Sequence, residues 1–272
     1  MGALDDVLSL IGFGHNGGPD LEDFNPEAFV AGLDEETLNA LLLPIIADEE
    51  HARFHRFDNL FPDAGPFRRE LYPRHLEFFK ASALYREICF LAANRVGKTI
   101  AGAYAMTAHL TGLYPAWWEG RTFPRPIRAW AAGDTNETTR DIIQLELFGN
   151  VTTAEDGRKG FDGSGIVPRE AIGPVKWKQG VQDLADTVHV MHRTGSWSFI
   201  GFKSFDQGRR SFQGTAKEVI WLDEECPVDV YNECLMRTAT TRGIIMTTFT
   251  PLSGLTEHVL QFLPKEMRPG EA

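Results

Sequence analysis

The sequence predicts an α/β fold: a mostly parallel sheet flanked by helices, preceded by an acidic helical arm. Three observations lead there. From about Phe61 onward, short apolar runs alternate with helical patterns, the order that wraps a parallel sheet in helices. Ile88–Leu91 is an uninterrupted apolar run, as suits a strand buried on both faces. Asn94–Thr99, Asp223–Glu225 and Thr247–Thr250 each follow a run of this kind, and ligands of open α/β sheets sit beyond such strand ends.

Length and composition set the frame. At 272 residues the chain can bury a full core in one large domain. Its apolar share of 43% and charged share of 24% are those of ordinary globular proteins. No apolar run approaches the ~20 residues that cross a bilayer, and acidic residues precede the short N-terminal apolar stretch, unlike a secretory signal. Cys89, Cys226 and Cys234 lack CxxC pairing and read as packing residues in a reducing compartment. The net charge of −11 lies wholly in residues 1–60, with thirteen Asp/Glu against two Arg. Residues 61–272 hold twenty-five charges of each sign, so they are neutral in sum and free to carry a local basic patch. The expected division is therefore an acidic arm over 1–60 and one domain over 61–272.

Along the arm, 11-IGFGHNGGPD-20 contains a literal GxGxxG, but no strand precedes it and turn residues follow, so it reads as linker. Residues 34–57 read as helix, with Asp34 as N-cap and Pro44 as a kink or break. Within the domain, the Ile88–Leu91 strand leads into an alanine-rich helix over Lys98–Gly112. Ile127–Ala132 is a strand, and 137–149 a helix that starts near Asp134, Thr135 or Asn136. Residues 150–186 are Gly-rich and read as irregular, before a hairpin of 187–192 and 196–205. Glu218–Leu222 and Gly243–Thr248 are strands, and 254–263 is a final helix. Trp117 and Trp118 are expected to cap the core.

The stretch 92-AANRVGKT-99 carries the chemistry. A triphosphate needs its charge neutralised without bulky atoms crowding its oxygens, and N–H groups at a helix N-terminus do this. Ala92, Ala93, Asn94, Arg95, Val96, Gly97, Lys98 and Thr99 form a P-loop in which Gly97 permits close approach, Lys98 reaches the β- and γ-phosphates, and Thr99 offers its hydroxyl to Mg²⁺. Ala92 stands where a first glycine is usual, a tolerable change if its φ stays negative. In 219-VIWLDEE-225, Asp223 is placed to hold the metal and Glu224 to polarise an attacking water. Thr248 and Thr250, after the last strand, can sense the γ-phosphate. ATP and Mg²⁺ are the implied ligands of a P-loop NTPase of RecA/ASCE type.

AANRVGKT, VIWLDEE and MTTFTP, in this order, resemble the ATPase module of a tailed-phage terminase large subunit over roughly residues 70–260. The resemblance implies ATP hydrolysis coupled to translocation of double-stranded viral DNA, in a ring docked on a portal protein and working with a small terminase subunit. It implies the cytoplasm of an infected bacterium, no secretion and no membrane. It also implies that Arg95 can be the arginine within the loop, that His75 in 72-YPRHLEFF-79 stands in the adenine segment where glutamine is more usual, and that Arg86 is a candidate for the nucleotide face. Arg209 and Arg210 are candidates for an arginine supplied to a neighbouring subunit, or else for DNA-phosphate contacts or surface pairs. The family's C-terminal nuclease domain has no counterpart in this sequence, so no DNA cleavage is expected. Two other classes stay open: another P-loop motor such as a helicase-like ATPase, and a nucleotide-gated assembly switch.

Overall fold

The computed structural model describes residues 34–252 and 254–263, so the GxGxxG segment and most of the acidic arm lie outside the described residues. The chain divides into two units, residues 1–53 and 54–272. In the first, α1 (Glu35–Phe54) is capped as expected, with Thr37 N–H donating to Asp34 Oδ1 at 2.7 Å. The helix runs on through Pro44. An interior proline costs about 3 kcal/mol, which here does not end the helix.

The division falls between Arg53 and Phe54 rather than after residue 60. The reason is α2 (Arg56–Asn59), whose buried Phe57 stacks on Tyr104 at 4.5 Å and so belongs to the second unit's core. Next come α3 (Pro73–Ala81), β1 (Glu87–Leu91), α4 (Lys98–Thr111) and β2 (Arg128–Gly133). Residues 136–148 form one helical segment, its middle (Thr139–Gln144) in the wider π form.

The stretch read as irregular carries three strands: β3 (Val151–Thr153) and β4 (Lys159–Phe161), an antiparallel ribbon of their own, and β5 (Ile172–Trp177). Its register against β6 shifts twice, and Gly173 and Pro174 inside it hide the strand pattern from the sequence. The expected hairpin is β6 (Ala185–Met191) with β7 (Trp197–Ser204). Then follow β8 (Val219–Asp223), α5 (Val228–Ala239), β9 (Ile244–Phe249) and α6 (Glu257–Phe262).

Seven strands form one sheet in the order β1-β9-β8-β2-β7-β6-β5. The first five are mutually parallel, and β6 and β5 are added antiparallel. One strand, β9, therefore separates the P-loop strand from the acidic strand, a gap of roughly 10 Å across two strand spacings. The motifs that follow β1, β8 and β9 all emerge from the same end of the sheet.

Helices cover the sheet unequally. One face packs α3 and α4 over Ile88, Phe90, Trp221 and Met246, and Trp117 and Trp118 join this aromatic core through Phe79 and Tyr104. The other face packs α5 over Ile220, Leu222 and Ile245. Twelve of the fourteen residues of α4 are buried, so this helix is wedged in the domain rather than laid upon it, and its N-terminus is fixed against the strand ends.

Candidate nucleotide site

The loop 92–97 carries β1 into α4. Ala92 keeps a negative φ, whereas Arg95 (φ 62°) and Gly97 (φ 81°) take left-handed conformations that reverse the chain. The missing glycine is thus tolerated where it is missing, and Arg95 instead adopts the backbone form that disfavours side chains. No side chain caps α4, so the first-turn N–H groups are available to an anion.

Lys98 is buried, and its ammonium donates to the Ala93 carbonyl at 2.7 Å and to Thr250 Oγ1 at 2.8 Å. Thr250 in turn bonds the Ala92 carbonyl (3.0 Å) and Asn94 Oδ1 (2.7 Å), so the end of β9 is tied to the loop at three places. Thr99 Oγ1 lies 3.1 Å from Asp223 Oδ2 and 3.3 Å from Oδ1. The spacing of β1 and β8 alone would keep these groups apart; α4, crossing over the sheet, brings Thr99 onto the acid.

Asp223 is held from behind. Trp221 Nε1 donates to Thr248 Oγ1 at 2.7 Å, and that hydroxyl donates to Asp223 Oδ1 at 2.6 Å. The Trp221 ring fits under α4 only because residue 102 is glycine: a Cβ there would stand 2.4 Å from the indole. Trp221 and Gly102 were not among the residues the sequence pointed to. Their only signal was a glycine inside an otherwise alanine-rich helix, which marks a close approach.

Burial pushes the Asp223 carboxyl up to about 7, opposed by the Thr248 bond and aided by the neighbouring Glu224. A raised acid is bound to more protons in the folded than in the unfolded chain between its two pKa values, so its contribution to stability falls as pH rises across that window. Asp223→Asn, in nucleotide-free protein, is expected to flatten the loss of stability from about pH 4 to about pH 7 and to be the more stable chain at the upper end. Urea titrations across this range check it, and an unchanged slope would contradict the burial argument.

Glu224 has φ 95° and donates its N–H to the Thr248 carbonyl at 2.9 Å. Strained backbone of this kind is kept only where surroundings enforce it. Its carboxyl is raised by partial burial and by Asp134, and lowered by Lys98, which places it in the field of the same cleft. Glu225 does not share that cleft: it accepts the hydroxyl of Thr256, the N-cap of α6.

Hydroxyl and carboxylate oxygens of Thr99 and Asp223 are the hard donors that Mg²⁺ prefers, and this ion takes one or two carboxylates plus substrate phosphates and water. Among the described residues, Lys98 is the one cation acting on this buried carboxylate, a charge balance that fits that ion. When bound, Mg²⁺ would neutralise phosphate charge, with Thr99 and Asp223 as the residues to hold it and Lys98 beside them.

Four expected site residues stand elsewhere. Arg86 precedes β1 at the opposite end of the strand and donates to the carbonyls of Gly243 and Thr238, joining α5 to β9 instead of facing a nucleotide. Arg209 donates to the buried Glu233, which also takes Arg237, because a buried carboxylate requires such partners. Thr248 is buried behind Asp223 and donates its hydroxyl to that carboxylate. His75 is buried among Phe61, Tyr72 and Phe90 with Nε2 against Gly97, so it supports the loop backbone and offers no edge to a base. Burial lowers its pKa against hydrogen bonds to the Gly97 and Val96 backbone. Arg95 and Arg210 are exposed on the surface.

Comparison with known proteins places the chain in a family. Residues 89–270 match the family "Terminase large subunit, T4likevirus-type, N-terminal". The chain is 33% identical over 249 residues to the terminase large subunit of Salmonella phage P22, covering 85% of this chain and 46% of that protein, so it spans about half the length of that curated relative. Among solved structures, the large terminase of the thermophilic bacteriophage D6E is similar with a TM-score of 0.40 at 8% identity, covering 65% of this chain and 37% of that one. Its complex with ADP gives 0.43 at 12% identity over the same shares.

Proposed function

The chain belongs to the terminase large-subunit family, and on that footing we propose that it is the Mg²⁺-dependent ATPase that drives double-stranded viral DNA into a procapsid. The observation that carries this reading is the convergence of Lys98 and Thr99 with Asp223 at one end of the sheet, the set a magnesium-bound triphosphate requires. Lys98 and the uncapped helix hold the phosphates. Glu224 orients and deprotonates water. Thr250 links the phosphate end of the cleft to the segment after β9, which gives hydrolysis a mechanical outlet.

In this reading Arg95 contributes charge within the loop, and Arg210 is the arginine presented to a neighbouring copy in a ring. The ring works on duplex DNA at a portal, with a small terminase subunit, in the cytoplasm of the infected host. Among the described residues no helix is long and apolar enough to cross a membrane.

The test is steady-state phosphate release by the purified chain with Mg²⁺, with and without duplex DNA. Turnover that requires Mg²⁺ and rises with duplex DNA is the expected result. ATP binding without turnover under every condition would favour an assembly switch, and strand separation on a forked duplex would favour a helicase-like motor.

A further inference from the structure

Among the described residues, the apolar core on the sheet face that α5 covers is built on β2, β8 and β9. Beyond them, burial alternates along β7: Ser198, Ile200, Phe202 and Ser204 are buried toward α4, while Phe199, Gly201 and Lys203 are half-buried on the other side. The register puts His189 opposite Phe199 and Thr187 opposite Gly201 on that same side. A cavity of about 380 Å³ opens here, lined in part by Arg128, Trp130, Thr187, Gln213 and Lys217.

Cations converge on this face. The ammonium groups of Lys217 and Lys203 lie 4.3 and 5.4 Å from the Trp130 ring centre. Lys217 is within repelling reach of Arg128, Lys203 and Arg237, and Lys178 of Lys203, so the charges form one connected group. Their hydrogen-bond partners are neutral: Lys178 donates to Asn136 Oδ1 at 2.7 Å and Lys217 to the Thr215 carbonyl at 3.2 Å. Three acids are close: Asp206 is exposed and acts on Lys178, and the other two are engaged. Asp186 pairs with Lys176 at 3.2 Å, and Glu218 accepts the Arg128 backbone N–H at 2.8 Å. Among the described residues, Arg128, Lys178, Lys203 and Lys217 form no ion pair, and burial with mutual repulsion holds Lys217 down to about 8. Cations gathered in excess of their neighbouring acids raise the local potential and attract an anion from solution.

We propose that this face, with Arg128, Lys178 and Lys203 in reach of solvent and the buried Lys217 behind them, grips the sugar–phosphate backbone of a double-stranded nucleic acid. The choice of a duplex rests on the motor reading above; the choice of backbone rests on the face itself. Trp130 is 7% exposed and covered by two ammonium groups, so no unpaired base can stack on it. Thr187, Gln213 and Thr215 supply the neutral hydrogen-bonding groups that accompany phosphate contacts. Domain residues whose charges cancel overall thus concentrate positive charge where one polyanion can lie.

The experiment measures binding of a duplex of about 30 base pairs to the full chain by fluorescence anisotropy, over a salt series. Arg128→Gln with Lys203→Gln is expected to weaken binding at least tenfold at about 50 mM salt and to reduce the log–log salt slope by about 1.8, or about 0.9 per lost contact. Lys203→Arg, which keeps the charge, is expected to bind like the parent, and turnover without nucleic acid is expected to be unchanged in both variants. Unchanged affinity in the double variant overturns the proposal, as does failure of the parent chain to bind duplex at low salt. Equal binding of polyglutamate, lost in the same variant, also overturns it and makes the face a dock for an acidic protein. ATP binding, measured in parallel with a fluorescent analogue, keeps the two readings apart: its absence counts against the nucleotide site alone.

Discussion

Glu224→Gln is expected to bind ATP as the parent chain does and to hydrolyse it about 10²–10⁴-fold more slowly, the usual loss on removing a positioned general base. The geometry behind this is specific. Asp223 ends β8 inside the protein, and the left-handed turn at Glu224 throws the next carboxylate outward into the cleft beside Lys98. The amide keeps the side chain's size and its hydrogen bonding but cannot take a proton. Because its carboxyl is raised, parent turnover should decline as pH falls through a value above the ordinary Glu range. Single-turnover phosphate release and equilibrium binding of a fluorescent nucleotide separate the two effects. Normal turnover in the variant removes Glu224 from the mechanism, and Glu225 is a poor substitute because it is committed to Thr256.

Lys98→Ala is expected to act earlier. The variant should lose most triphosphate affinity and about 10²–10³-fold in turnover of whatever remains bound, the scale set by removing one preorganised charge donor. The fold should survive. Lys98 sits at the first position of α4, its charged end at the loop, and alanine is the best helix former. Lys98→Arg is not expected to restore activity, since a planar fork cannot replace a point charge held within the loop. Isothermal titration with ATP and circular dichroism decide the matter: unimpaired binding by a folded variant would remove Lys98 from the site.

Much of this site was legible because its parts are local. A strand that ends in Gly-Lys-Thr, another that ends in Asp-Glu and a third that ends in threonines each announce a strand end with chemistry, and the parallel order brings these ends to one side. What could not be read depended on partners far along the chain. Arg86 is claimed by carbonyls more than 150 positions away, and Arg209 by a glutamate 24 positions on that is buried by the tertiary fold. Neither spacing nor charge reveals such a claim. The Trp221–Gly102 contact was hidden for the same reason, as was β5, whose Gly-Pro pair reads as a loop until β6 supplies a ladder. His75 shows another failure: its segment reads as one for the adenine, and its burial against the Gly97 backbone is not legible from the sequence.

The two bonds that the Lys98 ammonium makes to Ala93 and Thr250 have a thermodynamic consequence. Any phosphate that recruits this lysine displaces protein partners rather than water alone, so the affinity measured is an exchange and is smaller than the new contacts suggest. The same exchange releases the Thr250 hydroxyl. The toll is identical for every ligand that draws the lysine away, and only one with enough phosphate oxygens in reach recovers it. Affinity for any such ligand is thereby measured against the resting hydrogen bonds of the loop.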